Sequence, residues 1–316
     1  MGNPFSEATT VRAVGPGRYR AEIDERWNLR PLPQGGIVTA IGVEAMAAEL
    51  GRDHERPRTL HTTFAARVAH GEVEIDVDVL REGRSMSHLR AEVRNPGEAR
   101  GHLTTCIFGA PRDGFSFTDL APPDEILDPD ECPSYRDPLP EGVDMAFPPM
   151  PFWTDLVEAR VVSGHPPWED YVPDRAERIT WYRFDEAPFL DDGRLDPLAL
   201  VVLADTMPGA VGEKVGRSDR PWFAPSVDLT VHLLDDCRSS WVLAHNRARH
   251  AGDGYASVDM ALWDCGDDLR APPRLVAYAT QLFRDPDAPS NRPDYLSCAS
   301  TVSSGAWSAE CRSMCS

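Results

Sequence analysis

The sequence predicts an α+β protein built from two copies of one unit, a buried helix with an antiparallel sheet. Two runs, residues 37–50 and 198–204, are apolar on nearly every helical face, as in a helix enclosed on all sides. Each run is followed by segments in which apolar and polar residues alternate, the pattern of half-buried strands. Between the copies lies an acidic stretch, residues 111–151, interrupted by prolines.

In the first copy, Tyr19, Ala21 and Ile23 alternate with Arg20, Glu22 and Asp24, predicting a strand over 19–24. Trp27 and a loop punctuated by Pro31 and Pro33 follow. Gly35-Gly36 then open the helix, and Gly51 closes it. Strands are expected over 59–68, 72–80, 87–93 and 101–108, with a turn at Glu82-Gly83. The linker contains Pro122-Pro123, Asp128-Pro129-Asp130, Asp137-Pro138, Pro140 and Pro148-Pro149. Proline supplies no ladder donor, so no strand is expected there, and the segment should lie over the surface.

The order then recurs. Strands are expected over 157–162 and 179–184. Asp196-Pro197 open the second helix, which runs into Asp205-Thr206-Met207 and is ended by Pro208. Strands over 226–234, 241–249, 255–263 and 275–283 complete the copy, and residues 286–316 read as a disordered tail. The copies align with Met46 opposite Met207, Glu44 opposite Asp205, Thr59 opposite Ser226 and Cys106 opposite Gln281. The expected organisation is a repeat over 1–110, a linker over 111–151, a repeat over 152–285 and the tail.

Composition narrows the function. The chain has 316 residues, 41% of them hydrophobic, enough for a sizeable core. Its formal net charge is −19 and its pI about 4.8, which disfavours nucleic acid and anionic lipid as partners. Lys214 is the only lysine, so a bound anion must be held by arginine or backbone N–H groups. Seven cysteines, at 106, 132, 237, 265, 298, 311 and 315, form no CxxC pair and read as free thiols of a reducing cytoplasm. Neither a signal peptide nor a membrane-spanning run is expected. Histidines at metal-ligand spacing, a GxSxG elbow, a P-loop and a GxGxxG fingerprint are all missing from the sequence.

The remaining candidates are single polar residues in apolar settings. Asp205 follows seven apolar residues on a buried helix. It is either a carboxylate satisfied by neighbouring hydroxyls and amides, or a base with a raised pKa lining an apolar cleft. Ser226 after Pro225 reads by itself as a strand start, and Gln281 as the solvated member of an alternating strand. Glu44, Thr59 and Cys106 are their counterparts, either a second site or, as we prefer, a relic, because a thiol cannot replace an amide. Gly35-Gly36 would allow a ligand oxygen close to helix N–H groups.

A long buried helix wrapped by an antiparallel sheet, occurring twice, resembles the double hotdog fold. In detail the chain resembles the acyl-CoA thioesterase II (TesB-like) family over about residues 15 to 285. The likeness rests on Trp27 with Gly35-Gly36, Leu60-His61-Thr62-Thr63-Phe64, Leu80-Arg81-Glu82-Gly83-Arg84-Ser85 and Phe108-Gly109-Ala110-Pro111-Arg112. In the second half it rests on Leu203-Ala204-Asp205, the run from Ser226 to His232, Ala244-His245-Asn246 and Ala279-Thr280-Gln281. The resemblance implies hydrolysis of acyl-CoA by water activated at Asp205, with Ser226 and Gln281 completing the catalytic set. It implies oxyanion-binding N–H groups near Gly36, Arg81 or Arg84 as contacts for CoA phosphates, and no cofactor or metal. Association into homo-oligomers is compatible with it. The competing expectations are a non-catalytic acyl-thioester or lipid-binding protein, an enoyl-CoA hydratase or dehydratase, which would want a histidine beside Asp205, and a purely structural partner.

Overall fold

The computed structural model describes residues 2–29, 31–143, 150–166, 168–216, 225–267, 269 and 271–285. The tail expected from residue 286 onward lies outside the described residues. Among the described residues there are twelve strands: β1 (Arg12–Gly15), β2 (Arg18–Ile23), β3 (Arg56–Phe64), β4 (Gly71–Glu82), β5 (Met86–Arg94), β6 (His102–Gly109), β7 (Val157–Ser163), β8 (Glu177–Phe184), β9 (Asp228–Leu233), β10 (Val242–Gly252), β11 (Tyr255–Asp264) and β12 (Arg274–Arg284). They join in a single antiparallel sheet of order β1-β2-β4-β5-β6-β3-β9-β12-β11-β10-β8-β7. The order reads the same from either edge once β3 is matched to β9, β6 to β12 and so outward, so a two-fold relation runs through the β3–β9 pair. The fold is an α+β double hotdog. Strand β1 escaped the sequence reading because three of its four residues are exposed and it shows no apolar alternation.

Inward-facing side chains such as Val73, Ile75, Leu89, Ala91 and Phe108 cover helix α2 (Gly35–Leu50), and Leu229, Val258, Met260, Ala277 and Ala279 cover the second half of the core. Ile37, Val38, Ala40, Ile41, Val43, Ala45 and Met46 on α2 are fully inaccessible. At roughly 1.5–3 kcal/mol per buried large aliphatic side chain, their removal from water dominates the stability of this half. Gly51 closes α2 with φ +60°, a left-handed conformation that glycine adopts without steric penalty. A short N-terminal helix, α1 (Pro4–Thr9), sends Phe5 into the same core, edge-on to Trp27 and Phe184.

The second buried helix, α3 (Pro197–Ala204), is shorter than the sequence suggests. It starts from an Asp196 cap and has Pro197 at its first position, but it ends at Ala204, before Asp205. Pro208 does not terminate it; it opens a further helix, α4 (Pro208–Val215), where the missing N–H costs nothing because first-turn donors have no helical acceptor. The break between the helices is held by Asn246, whose amide donates to Met207 O at 2.6 Å, and by Thr206, whose hydroxyl donates to Leu203 O at 2.7 Å.

The proline-rich stretch between the copies contacts the sheet at defined points. Trp181 Nε1 donates to Leu127 O at 2.9 Å, Val161 N–H to Pro133 O at 2.9 Å, and Ser134 bridges Arg160. Among the described residues, no helix is long and apolar enough to cross a membrane. The described cysteines, 106, 132, 237 and 265, are free and buried.

Candidate active site

At the C-terminus of α3 the helix stops and Asp205 turns its side chain toward the start of α2, with 7% of the residue exposed. One carboxylate oxygen, Oδ2, accepts the Gly36 N–H at 2.9 Å. The other, Oδ1, accepts from Gln281 Nε2 and, at 3.5 Å, from the Ser226 hydroxyl. Gln281 Nε2 also donates to Ser226 Oγ at 2.8 Å. Donors from α2, β12 and the segment before β9 thus converge on one carboxylate at the end of α3. The amide orientation of Gln281 follows from chemistry, since an ionised carboxylate offers only acceptors.

Two opposing effects set the Asp205 pKa. Burial disfavours the charged form, while donors from Gln281, the Gly36 and Gly35 N–H groups and Ser226 favour it. Burial wins, and the pKa is raised to about 6. A carboxylate held there is ionised at neutral pH yet basic enough to take a proton from a water molecule.

Gln281 lies on the inner face of β12 with Ala277, Ala279 and Phe283, 2% exposed. The solvated reading of this residue is therefore overturned: strand alternation places it inward with the apolar set. Its Oε1 is buried without a hydrogen-bond partner among the described residues. Ser226 pairs with Phe283 in an isolated bridge before β9 begins.

The two glycines allow the helices to meet. A Cβ on Gly35 would lie 2.7 Å from the Phe64 ring and 2.9 Å from Asp205 Oδ2, and one on Gly36 would lie 2.7 Å from Val201 O. Side chains at either position would push α2 away from α3. The Gly36 N–H, expected near a substrate oxyanion, is instead spent on the Asp205 carboxylate. This corrects its role: the first turn of α2 acts on the acidic residue.

Sequence reasoning passed over Gln34 as the end of a loop. It is the N-cap of α2, 1% exposed, with Oε1 accepting the Ile37 N–H at 2.9 Å. Its Nε2 donates to Val202 O at 2.7 Å and to Asp205 O at 3.2 Å. One side chain therefore caps α2 and ties it to the last turn of α3. The available signal was a polar residue immediately before Gly-Gly at a helix start.

Arg81 and Arg84 are not brought to this site. They sit exposed at the β4–β5 turn, where Met86 pairs with Gly109. Asp205 lies near Phe64, which pairs with His102 at the other end of β6. The intervening strand length is about 23 Å at the usual rise of roughly 3.3 Å per residue.

Glu44, Thr59 and Cys106 do not assemble either. Cys106 pairs with Leu60 and faces the core, so the adjacent Thr59 points to the opposite face. Glu44 is half-buried on α2, its pKa raised by burial and then by the charge of Asp196. The pairing also corrects the alignment of the copies. Ser226 lies across from Phe283 and Pro57 across from Phe108, so the counterpart of Ser226 is Pro57. Counting residues aligned the two strands two positions out of register, a slip that keeps every side chain on its own face and so leaves the apolar alternation unchanged.

Comparison with known proteins agrees with this architecture. The first half, residues 23–109, matches the acyl-CoA thioesterase N-terminal domain, and residues 129–283 match the acyl-CoA thioesterase C-terminal domain. No curated protein matches the chain significantly. Among solved structures, a hot dog fold protein of unknown function from Alicyclobacillus acidocaldarius is 25% identical, with a TM-score of 0.74 over 90% of this chain and 98% of that one. A putative thioesterase II from Thermobifida fusca is 24% identical, with a TM-score of 0.68 over 90% and 98% of the two chains. The acyl-CoA thioesterase II TesB2 from Mycobacterium marinum is 19% identical, with a TM-score of 0.69 over 91% and 100%; these last two likenesses bear on the fold. With both domain matches in order and together spanning more than three quarters of the sequence, the chain belongs to the acyl-CoA thioesterase family.

Proposed function

We propose that the protein hydrolyses acyl-CoA thioesters at Asp205, releasing the free acid and CoA. The observation that carries the reading is a buried carboxylate with a pKa raised to about 6, held by Gln281, Ser226 and Gly36. Thioester hydrolysis needs a water positioned and deprotonated beside the carbonyl carbon. Asp205 takes that proton as the water oxygen bonds to the carbonyl carbon. The tetrahedral intermediate then collapses, the carbon–sulfur bond breaks, and the proton passes to the departing CoA thiolate.

Gln281 contributes twice. Its Nε2 steadies the ionised Asp205, and its free Oε1 is an acceptor for a water hydrogen. Ser226 couples the other two, accepting from Gln281 while donating to Asp205. Gln34 is a positioning residue that fixes the Asp205 backbone against α2. The hydratase alternative loses support because the side-chain partners of Asp205 are an amide and a hydroxyl, with no imidazole among them.

The test is thiol release from acyl-CoAs of graded chain length by the wild type and by Asp205→Asn. Turnover should fall by about 10²–10⁴-fold in the variant with circular dichroism unchanged. Retained turnover would remove Asp205 from the mechanism. Tight acyl-CoA binding without thiol release by the wild type would favour the non-catalytic alternative.

A further inference from the structure

The two-fold relation through β3 and β9 gives every feature of the candidate active site a counterpart. At that counterpart the surface opens into a cleft of about 590 Å³. Pro57, which replaces Ser226, and Pro197, which occupies the helix position of Gly35, both line it, with Leu233 at the end of β9. The cleft begins at Arg56, and Phe64 beside Asp205 lies eight residues along the same strand, about 26 Å away at roughly 3.3 Å per residue.

Its electrostatics run against those of the chain. Four arginines (Arg56, Arg58, Arg112 and Arg194) and two aspartates (Asp235 and Asp236) line the cleft, a net of +2 on a chain of −19. Arg56 and Arg194 both donate to Asp236 Oδ1 at 3.0 Å, and Asp235 is paired with Arg274. These four are spoken for. Arg58 uses only its Nε, on Gly109 O at 3.0 Å, and the exposed Arg112 has no ion pair among the described residues. Two guanidinium groups are therefore available over a wall of proline and leucine side chains.

We propose that this cleft binds a phosphorylated nucleotide without transforming it. Free guanidinium N–H groups match phosphate oxygens, and Arg58 and Arg112 supply them. Pro57, Pro197 and Leu233 form an apolar wall for the flat base, and the volume lies in the usual range for small-molecule sites of about 300–1,000 Å³. The cleft has no machinery for hydrolysis. Pro197 carries no N–H, the next N–H, on Leu198, is taken by Asp196 Oδ1 at 2.9 Å, and Pro57 has no hydroxyl. Duplication thus leaves one pocket with a base and another with arginines.

Titration calorimetry of the full chain with adenosine 3′,5′-bisphosphate tests the proposal. Saturable binding is expected, weakened at least tenfold in Arg112→Glu and in the double variant Arg58→Ala/Arg112→Ala, with Tm unchanged in Arg112→Glu. Thiol release by Arg112→Glu should equal that of the wild type. Three results would overturn the proposal: no saturable binding, binding indifferent to Arg112→Glu, or inorganic pyrophosphate binding as tightly as the nucleotide. The calorimetric readout does not depend on hydrolysis, so a failure of the thioesterase reading leaves it intact.

Discussion

The start of α2 and the start of α3 occupy equivalent places in the two copies, yet they do opposite things. In α2, glycines at the first two positions let the neighbouring helix approach, and the Gly36 N–H is donated to Asp205. In α3, the first position is Pro197 and the second N–H, on Leu198, is consumed by the Asp196 cap. The carboxylate that would be served there, Glu44, receives added negative charge from Asp196. Duplicated backbones therefore diverge in function through the few N–H groups a helix start leaves unpaired, because these are the donors a buried carboxylate can reach. One copy keeps a buried carboxylate with its donors, and the other closes its helix upon itself.

Replacing the two carboxylates in parallel makes the sharpest break in this comparison. Asp205→Asn should lower thiol release by about 10²–10⁴-fold, whereas Glu44→Gln should leave it within twofold. Equal losses would show that both copies carry catalysis. Next come the helix starts. Gly35→Ala places a methyl group within 2.7 Å of Phe64 and 2.9 Å of Asp205 Oδ2. A loss of about 1–3 kcal/mol of stability and most of the activity should follow, read by urea titration and turnover. Pro197→Ala should change stability by less than about 1 kcal/mol and leave turnover intact.

Gln34→Ala removes a helix cap, takes from Asp205 O its donor and leaves Val202 O with the Asp205 N–H alone. The cap alone is worth about 1 kcal/mol, and kcat should fall several-fold more than KM rises if the residue positions Asp205. A change confined to Tm would reduce it to a structural role.

The smallest effect is in pH dependence. Because the folded Asp205 pKa of about 6 lies above its ordinary 3.8, the native state binds a proton more readily than the unfolded chain. Its ionisation therefore opposes folding: stability falls as pH rises from about 4 to about 6. Denaturation midpoints of the wild type relative to Asp205→Asn should accordingly improve as pH is lowered from 7 to 5. Over the same interval kcat/KM should decline with a midpoint near 6, and Gln281→Leu, which removes a donor to the carboxylate, should move that midpoint upward.

Much of this was legible in the residues themselves. Two all-round apolar helices and the alternating strands specify what must be buried, and burial periodicity is a local property of the chain. Asp205 stood out for the same reason, as a carboxylate closing an apolar run. Other features depended on partners far away in sequence. Gln281 reads as solvated until the α2–α3 pair lies on its inner face. Gln34 reads as loop until Val202 and Asp205, about 170 residues on, supply its acceptors. Counting positions also misplaced the counterpart of Ser226, because a slip of two residues preserves strand alternation and leaves no mark in the apolar pattern.

The sequence by itself determined the duplicated α+β architecture and marked Asp205 as a carboxylate that apolar surroundings would perturb, since hydrophobic patterning is written residue by residue. Only the tertiary structure decided which donors reach that carboxylate, that Arg81 and Arg84 lie at the far end of the sheet, and that Pro57 and Pro197 face the second cleft. The reason is that hydrogen bonds act over about 3 Å, and only folding brings distant residues within that range.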